Sequence, residues 1–348
     1  MPSVTAAPPT LATRWSYHLD DFPIAVAYSR RGALLAAAPP SGPIVVLELQ
    51  TGAVVARLAG HKGGTLSLSW SADEAYLASG GQDGAVRIWD IARQAQHAEC
   101  DGGAPWVEHV AFDPRSSGAP SPQLLASAAG RVLRLWSQDG DLVRTYTPHP
   151  STISAIAWQS GTQELVTAAY GALTIWSPAR ERPIRRFRWK GSILAVACSR
   201  DGRYIATGDQ DRTVHFWRTK TGDDLQMAGY PAKVLRLAWD AASRFLATGG
   251  SDVVTIWDCK RSPEGTTPRA CEGHDDLVTG LHYQHRGNLL VSGDGAGTLH
   301  VWAPTRSLFP IACGKLNAEI ASVAWTPEDT GIVAAAADGT IIMYDYGY

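Results

Sequence analysis

The sequence predicts an all-β protein that closes into one ring of eight four-stranded sheets. Three observations lead to this prediction. A tryptophan that ends an apolar strand recurs at intervals of 40 to 47 residues. A second aromatic residue, at the end of an earlier strand in each unit, recurs with the same spacing, and Gly-containing turns separate the strands. A period of about 42 residues is typical of the four-stranded blades of a β-propeller.

The repeated element is clearest in residues 77–90, LASGGQDGAVRIWD. It predicts two short strands joined at Asp83-Gly84, because Gly tolerates the positive φ of a tight hairpin and Asp favours turns. Side chains of such a hairpin point to both faces of the sheet. One hairpin cannot bury both faces by itself, so it needs neighbours on both sides.

Eight units follow from the two aromatic registers. The first register contains Trp89, Trp136, Trp176, Trp217, Trp257 and Trp302, with Leu47 and Tyr344 one period beyond its ends. The second contains Tyr28, Trp70, Phe112, Trp158, Trp239, Tyr283 and Trp325, with Cys198 in one unit. Seven blades are the alternative, since the first and last units depart most from the pattern.

The chain ends predict how the ring closes. The last unit stops at YDYGY, directly after its third strand. The segment ATRWSYHLDD, residues 12–21, precedes the first unit in the position of an outer strand. Pairing the two would remove an open sheet edge. We therefore predict one propeller domain over 12–348, a flexible tail over 1–11 and a long surface loop over 113–123.

Composition narrows the classes of function. A net charge of −2 with 18 % charged residues gives no general attraction to nucleic acid or anionic membranes. The five cysteines are widely spaced and form no C-x-x-C pair, which favours free thiols in a reducing compartment. Signals for secretion or membrane insertion are not seen. We expect a cytoplasmic protein, either a monomer or a subunit of a hetero-complex, with no membrane contact.

Residues 60–90 resemble a complete WD40 repeat, with a Gly-His pair, a strand of small residues, a turn Asp and a terminal Trp-Asp. EGHDDLVTGL and LATGGSDVVTIWD are further close matches, and the resemblance covers nearly the whole chain. It implies a WD40-type β-propeller. It also implies that one blade contains a hydrogen-bonded tetrad of His61, Ser79, Asp83 and Trp89.

These four residues are better interpreted as a structural network than as a Ser-His-Asp catalytic triad. The indole N–H would occupy the serine hydroxyl, and the sequence has no G-x-S-x-G elbow. By register, only the second unit keeps all four residue types. We predict no enzymatic activity, no catalytic residue and no cofactor.

Two repeat units have an aromatic residue in place of the histidine, and these aromatic residues suggest a binding surface. Nine residues before the first-strand aromatic, the fifth unit has Trp189 and the sixth has Tyr230. The resemblance places these positions on the narrower top face of the propeller, where Trp106 and Tyr170 also lie. Aromatic residues on loops at one end of a scaffold are common binding anchors, so we predict a protein or peptide partner there. The alternative is that they cap their own blades. Predicted polar contacts nearby are Lys190, Lys233 and Arg131.

Two other functions remain open. The basic run RERPIRRFRWK, residues 180–190, could bind nucleic acid through Arg182, Arg185, Arg186 and Arg188, although a solvated outer strand is the plainer interpretation. GGAPWVEHVAFDP and GYPAKVLRLAW are similar to stretches of stand-alone bacterial WD40 proteins associated with CobW-type zinc GTPases. That resemblance implies an accessory partner of a metal-handling GTPase.

A metal site is not expected. His282 and His285 would point to opposite faces of one strand, and no third ligand is evident.

Overall fold

A computed structural model describes residues 8–115, 123–260 and 267–347. These residues form strands and turns with no helix, and the strands make eight four-stranded antiparallel sheets. The all-β prediction is confirmed, and the ring has eight blades rather than seven. The predicted loop over 113–123 falls largely on residues 116–122, which lie outside the described residues.

The strands follow the chain as a meander, one blade after another. The first strand, β1, is Ala12–His18. Blade 1 contains β2 (Ala25–Tyr28), β3 (Leu34–Ala38), β4 (Ile44–Glu48) and β5 (Val54–Leu58). Blade 2 contains β6 (Thr65–Trp70), β7 (Tyr76–Gly81), β8 (Ala85–Asp90) and β9 (Ala95–Asp101). Blade 3 contains β10 (His109–Phe112), β11 (Leu124–Ala129), β12 (Val132–Ser137) and β13 (Leu142–Thr145). Blade 4 contains β14 (Ile153–Trp158), β15 (Leu165–Ala169), β16 (Ala172–Trp176) and β17 (Arg185–Arg188).

The second half of the ring repeats the arrangement. Blade 5 contains β18 (Ile193–Cys198), β19 (Tyr204–Asp209), β20 (Val214–Arg218) and β21 (Asp224–Met227). Blade 6 contains β22 (Arg236–Trp239), β23 (Phe245–Gly249), β24 (Val254–Asp258) and β25 (Arg269–Cys271). Blade 7 contains β26 (Val278–Tyr283), β27 (Leu290–Asp294), β28 (Thr298–Trp302) and β29 (Ala312–Lys315). Blade 8 contains β30 (Ile320–Trp325), β31 (Gly331–Ala336) and β32 (Thr340–Asp345), with β1 as its outer strand.

β1 closes the ring as predicted. It pairs antiparallel with β32, from Ala12 opposite Asp345 to His18 opposite Thr340. Its side chains also contact the next blade, because the Trp15 indole Nε1 donates a hydrogen bond to the Leu49 carbonyl at 2.9 Å. The N-terminal strand therefore joins blade 8 to blade 1.

Residues 8–11 differ from the loose tail that the sequence suggests. The Leu11 amide donates to the Cys313 carbonyl at 2.8 Å, and the Cys313 amide donates to the Pro9 carbonyl at 2.9 Å. The Leu11 side chain is buried among residues of blades 7 and 8. The outer strand β29 has a free edge that can pair with a further segment, and these residues use it.

The core lies between blades. Eight apolar clusters each combine residues from two neighbouring blades, and the cluster of blades 8 and 1 completes the circle. The second aromatic register has a matching role. The indoles of Trp70, Trp158 and Trp239 donate hydrogen bonds to carbonyls of the preceding blade at 2.9 to 3.1 Å. Each of these three side chains ties its blade to the one before it.

Strand direction defines two faces of the ring. The first strands of neighbouring blades contact one another around the axis. Because the strands alternate in direction, the connections between blades and the turns between second and third strands lie at the same end. We call this end the top face.

Candidate functional site

The tetrad of blade 2 is a continuous hydrogen-bonded chain that runs from Asp83 to Trp89. His61 Nδ1 lies 2.7 Å from Asp83 Oδ1, and His61 Nε2 lies 2.8 Å from Ser79 Oγ. The Trp89 indole Nε1 donates to the same serine oxygen at 2.9 Å. In the tautomer that satisfies every group, His61 Nδ1–H donates to the carboxylate and Nε2 accepts from the Ser79 hydroxyl.

The electrostatics of this network oppose a catalytic role. Burial lowers the pKa of His61, so its ring is neutral at pH 7. Ser79 is fully buried and its hydroxyl is engaged by both His61 and Trp89. Asp83 also accepts hydrogen bonds from the Lys62 amide and from Arg87. The network connects a strand, a turn and an interblade loop, which is a structural function.

Blade 7 contains a second complete tetrad, which corrects the prediction that only the second unit keeps all four members. His274 contacts Asp294 at 2.9 Å and Ser292 at 2.6 Å, and the Trp302 indole donates to Ser292 at 2.7 Å. Asp294 lies at the end of β27, whereas Asp83 lies in the turn after β7. The carboxylate can therefore reach the histidine from either of two positions.

Blade 6 replaces the histidine with a tyrosine that performs the same linking role. The Trp257 indole donates to Tyr230 Oη at 2.8 Å, and Tyr230 Oη lies 2.7 Å from Thr248 Oγ1. The Tyr230 side chain is only 9 % exposed. Tyr230 is therefore part of its blade, as in the capping alternative, and we do not include it among the surface anchors proposed below.

Tyr230→Phe is expected to destabilise the protein by about 2 kcal/mol, because it leaves the buried Trp257 N–H without an acceptor. Tyr170→Phe is the matched control, since the Tyr170 side chain is 59 % exposed. Urea denaturation followed by fluorescence measures both. Equal stabilities of the two variants would contradict the assignment of Tyr230 to the blade network.

Blade 5 leaves its network incomplete. Trp189 occupies the histidine position, packs half-buried against the core of blades 4 and 5, and its ring centroid lies 3.9 Å from that of His215. Its indole Nε1 is buried with no hydrogen-bond partner among the described residues. The buried Asp209, at the position equivalent to Asp294, also has one oxygen without a partner in that part of the chain.

The top face carries several exposed apolar side chains. Trp106 is 54 % exposed in the connection between blades 2 and 3, and Tyr170 lies in the turn between β15 and β16. Among the described residues, sequence reasoning missed four others in connections between blades, namely Phe22, Ile24, Leu235 and Leu277. A single Leu or Phe beside a loop has no sequence signal that separates it from a core residue.

The predicted polar contacts differ in their environments. Lys190 and Lys233 are exposed on the top face, whereas Arg131 donates a hydrogen bond to the His149 carbonyl at 2.6 Å. Lys233 lines a cavity of about 560 Å³ that opens between blades 5, 6 and 7. Leu235 and Leu277 contribute apolar parts of its wall.

The arginine-rich run forms the outer strand of blade 4. Arg186 and Arg188 are exposed, as is Arg182 just before the strand. Arg185 is half-buried and donates to the Thr219 carbonyl of blade 5 at 2.9 Å. One of the four guanidinium groups is thus already used between blades.

The prediction for His282 and His285 is wrong in its geometry. Their ring centroids lie 5.2 Å apart, because β26 ends at Tyr283 and His285 belongs to the following loop. Burial lowers the pKa of His282 to about 3. No group of three metal-ligating side chains occurs in residues 8–115, 123–260 and 267–347.

Over those same ranges, none of the chain forms a helix with the length and apolar character that crossing a membrane requires. All five cysteines are free thiols.

Comparison with known families gives two matches. A model described as "IFT122 first beta-propeller" matches residues 23–303, and one described as "WD domain, G-beta repeat" matches residues 311–345. Together they span most of the ring. The computationally designed Ika8 protein has a similar structure, with a TM-score of 0.79, 21 % sequence identity, and coverage of 97 % of this chain and all of that one.

Three curated relatives are 24 to 27 % identical to this chain. The WD repeat-containing protein srw1 of Schizosaccharomyces pombe is 27 % identical over 250 residues, which are 68 % of this chain and 42 % of that protein. The B-type cell cycle switch protein ccs52A of Medicago truncatula is 24 % identical over 248 residues, 68 % of this chain and 50 % of that protein. Telomerase protein component 1 of Mus musculus is 25 % identical over 340 residues, 94 % of this chain and 12 % of that protein. The chain spans half or less of the length of each of these three relatives.

Proposed function

The chain belongs to the IFT122 first beta-propeller family and is therefore a WD40-type β-propeller, and on that basis we propose that it is a non-enzymatic scaffold. Its partner is a protein or peptide that binds on the top face. The observation that carries this proposal is the set of exposed apolar side chains on the loops at one end of a closed ring.

The proposal is supported by a difference between the packed blades and the loops that connect them. The blades are tied together by buried clusters and indole hydrogen bonds, so the loops are presented by a rigid frame. Apolar side chains such as Trp106 and Tyr170 remain in water at a free-energy cost that a partner would remove. Large aromatic residues in such positions commonly dominate binding energy.

The double variant Trp106→Ala/Tyr170→Ala is expected to lose its partner while remaining folded. Affinity enrichment from a lysate of the source cells, quantified by mass spectrometry, measures the loss. We expect at least about a tenfold decrease in the recovered partner, since hot-spot aromatics contribute roughly 2 kcal/mol or more each.

The matched control carries the same kind of change on the opposite face. Leu308 and Phe309 are exposed in the connection between β28 and β29, at the other end of the ring. Leu308→Ala/Phe309→Ala should retain the partner. Equal recovery by both double variants would reject the top face as the binding surface, and thermal melting confirms that each remains folded.

Nucleic-acid binding through the outer strand of blade 4 is the second candidate, because Arg186 and Arg188 are exposed side by side on one strand. Its signature is a steep fall of affinity with salt concentration. Arg186→Ala/Arg188→Ala would then reduce binding of an oligonucleotide and leave the protein partner unaffected. An accessory role beside a CobW-type GTPase stays a prediction.

A further inference from the structure

The top face contains a cavity between blades 5, 6 and 7 rather than a flat apolar patch. Its volume of about 560 Å³ falls within the range of ligand pockets, roughly 300 to 1,000 Å³. Gly249 and Gly250 are part of its lining. A Cβ at Gly249 would lie 2.9 Å from the Val278 side chain, so this position has to stay small.

The apolar part of the wall comes from two neighbouring connections. Leu235, before β22, and Leu277, before β26, are 47 % and 52 % exposed although both line the cavity. Val278 and Ala232 extend the apolar surface between them. An apolar side chain of a ligand would therefore be covered on both sides here.

The charged part of the wall is dominated by cations. Among the described residues, Arg212, Lys233 and Arg236 line the cavity against a single carboxylate, that of Glu319. Arg236 is committed within the fold, since it donates hydrogen bonds to the carbonyls of Thr279 and Leu235. The Glu319 charge also acts on Arg236, opposing the lowering of its pKa by burial.

In the described part of the wall, no further carboxylate neutralises Arg212 and Lys233. Both are exposed, and neither donates a side-chain hydrogen bond within the described residues. Among nearby acids, Asp211 accepts from the Thr213 hydroxyl and Asp276 from the Leu277 amide. Asp252 follows Ser251 but does not line the cavity.

We infer that this cavity binds a short acidic segment of a partner protein. Its apolar side chain is seated between Leu235 and Leu277, and its carboxylate pairs with Arg212 and Lys233. Charge complementarity selects such a segment over a basic or neutral one, because a basic segment would meet two unneutralised cations. The inference specifies the partner chemistry of the proposed scaffold and therefore rests on that function.

A random 12-residue peptide library displayed on phage, selected on the full chain, tests this inference. The expected consensus places Asp or Glu within two positions of Leu, Ile or Phe. A synthetic fluorescein-labelled peptide of that sequence should then bind the native protein, with an affinity that falls as salt screens the charges. Enrichment of basic or purely apolar peptides, or no enrichment above background, would overturn the inference.

Charge reversal provides the second measurement. Arg212→Glu/Lys233→Glu should weaken binding of the labelled peptide at least tenfold. Lys220→Glu/Lys260→Glu makes the same change in net charge at exposed positions in connections of the opposite face and should bind as the native protein does. Equal affinities of the two variants would refute the pairing, and displacement of the peptide by the oligonucleotide dT12 would assign the cations to phosphate instead.

These experiments distinguish a failure of the scaffold proposal from a failure of the acidic-segment inference. If Trp106→Ala/Tyr170→Ala loses the cellular partner but Arg212→Glu/Lys233→Glu retains it, the scaffold function stands and the acidic-segment inference falls. If neither variant loses the partner, the top face itself is rejected.

Discussion

A chain that lacks residues 1–18 is expected not to form the folded monomer. The deletion removes β1, so blade 8 keeps three strands and the edge of β32 becomes exposed. It also removes the Trp15 side chain packed against the cluster of blades 8 and 1, and the buried Leu11 of blades 7 and 8. Together these losses are on the order of 5 kcal/mol or more, comparable with the whole stability of many domains.

Size-exclusion chromatography with light scattering, together with urea denaturation, measures this effect. The truncated chain should elute as larger species, because an unpaired strand edge promotes association. A chain that begins at Pro8 is the control, since it keeps β1 and the hydrogen bonds to Cys313. A synthetic peptide of residues 8–21 should restore the monomer in trans. A stable monomer without β1 would show that the ring does not depend on this closure.

The ring could be predicted from the sequence because each blade repeats the same physical requirement. Most blades use large side chains at equivalent positions to fill the space toward their neighbours, so residues such as Trp70 and Trp158 recur with the period of the repeat. Closure of the ring could be predicted because a last blade with only three strands would leave an exposed strand edge, which is unfavourable. The contacts of residues 8–11 could not, because Pro8, Pro9 and the absence of periodicity give no indication of the edge to which the segment pairs.

The binding surface was less predictable because exposure depends on how each loop turns. Trp189 and Tyr230 are equivalent in sequence, yet only the tyrosine has a hydroxyl that can reach Thr248 and enter the blade network. Leu235 and Leu277 lie beside strands like many buried leucines, and only the path of the preceding loop leaves them in solvent. Alignment of the repeats also could not identify Asp294 as the carboxylate of a second tetrad. A carboxylate can reach the histidine from two different positions in the hairpin, and Asp294 occupies the position that Asp83 does not.

Asp209 and Asp294 occupy equivalent positions in blades 5 and 7, so the pKa values of their carboxyl groups can be compared directly. Each ends the second strand of its blade, lies opposite the first residue of strand one, and follows a Thr or Ser by two residues. Burial would raise the pKa of Asp294, but hydrogen bonds from His274 and the Thr298 amide outweigh it and lower that pKa. Beside Asp209 the histidine position holds Trp189, so burial and the charge of Asp211 raise the pKa of Asp209 to about 7.

Asp209→Asn is therefore expected to stabilise the protein progressively as the pH rises. The native carboxyl keeps its proton up to about pH 7, whereas the unfolded chain releases it near pH 3.8. The folded state thus binds more protons over that interval, and its stability falls with rising pH, by about 1.4 kcal/mol per unit. The Asn side chain of the variant does not titrate, so its stability does not fall in this way. The stability difference between the variant and the native protein should therefore grow to about 4 kcal/mol near pH 7 and stay level above it.

Asp294→Asn should show the opposite sign. Its lowered pKa means that the carboxylate stabilises the fold above the unfolded pKa and that this contribution is lost as the pH falls through the folded pKa. The variant should be about 3 kcal/mol less stable than the native protein at pH 7, since the buried His274 Nδ1–H loses a charged acceptor. Urea denaturation of the three proteins at half-unit steps from pH 4 to pH 8 measures both curves. If the stability difference between Asp209→Asn and the native protein does not change with pH, Asp209 is ionised in the fold and the absence of a histidine in blade 5 has no electrostatic consequence.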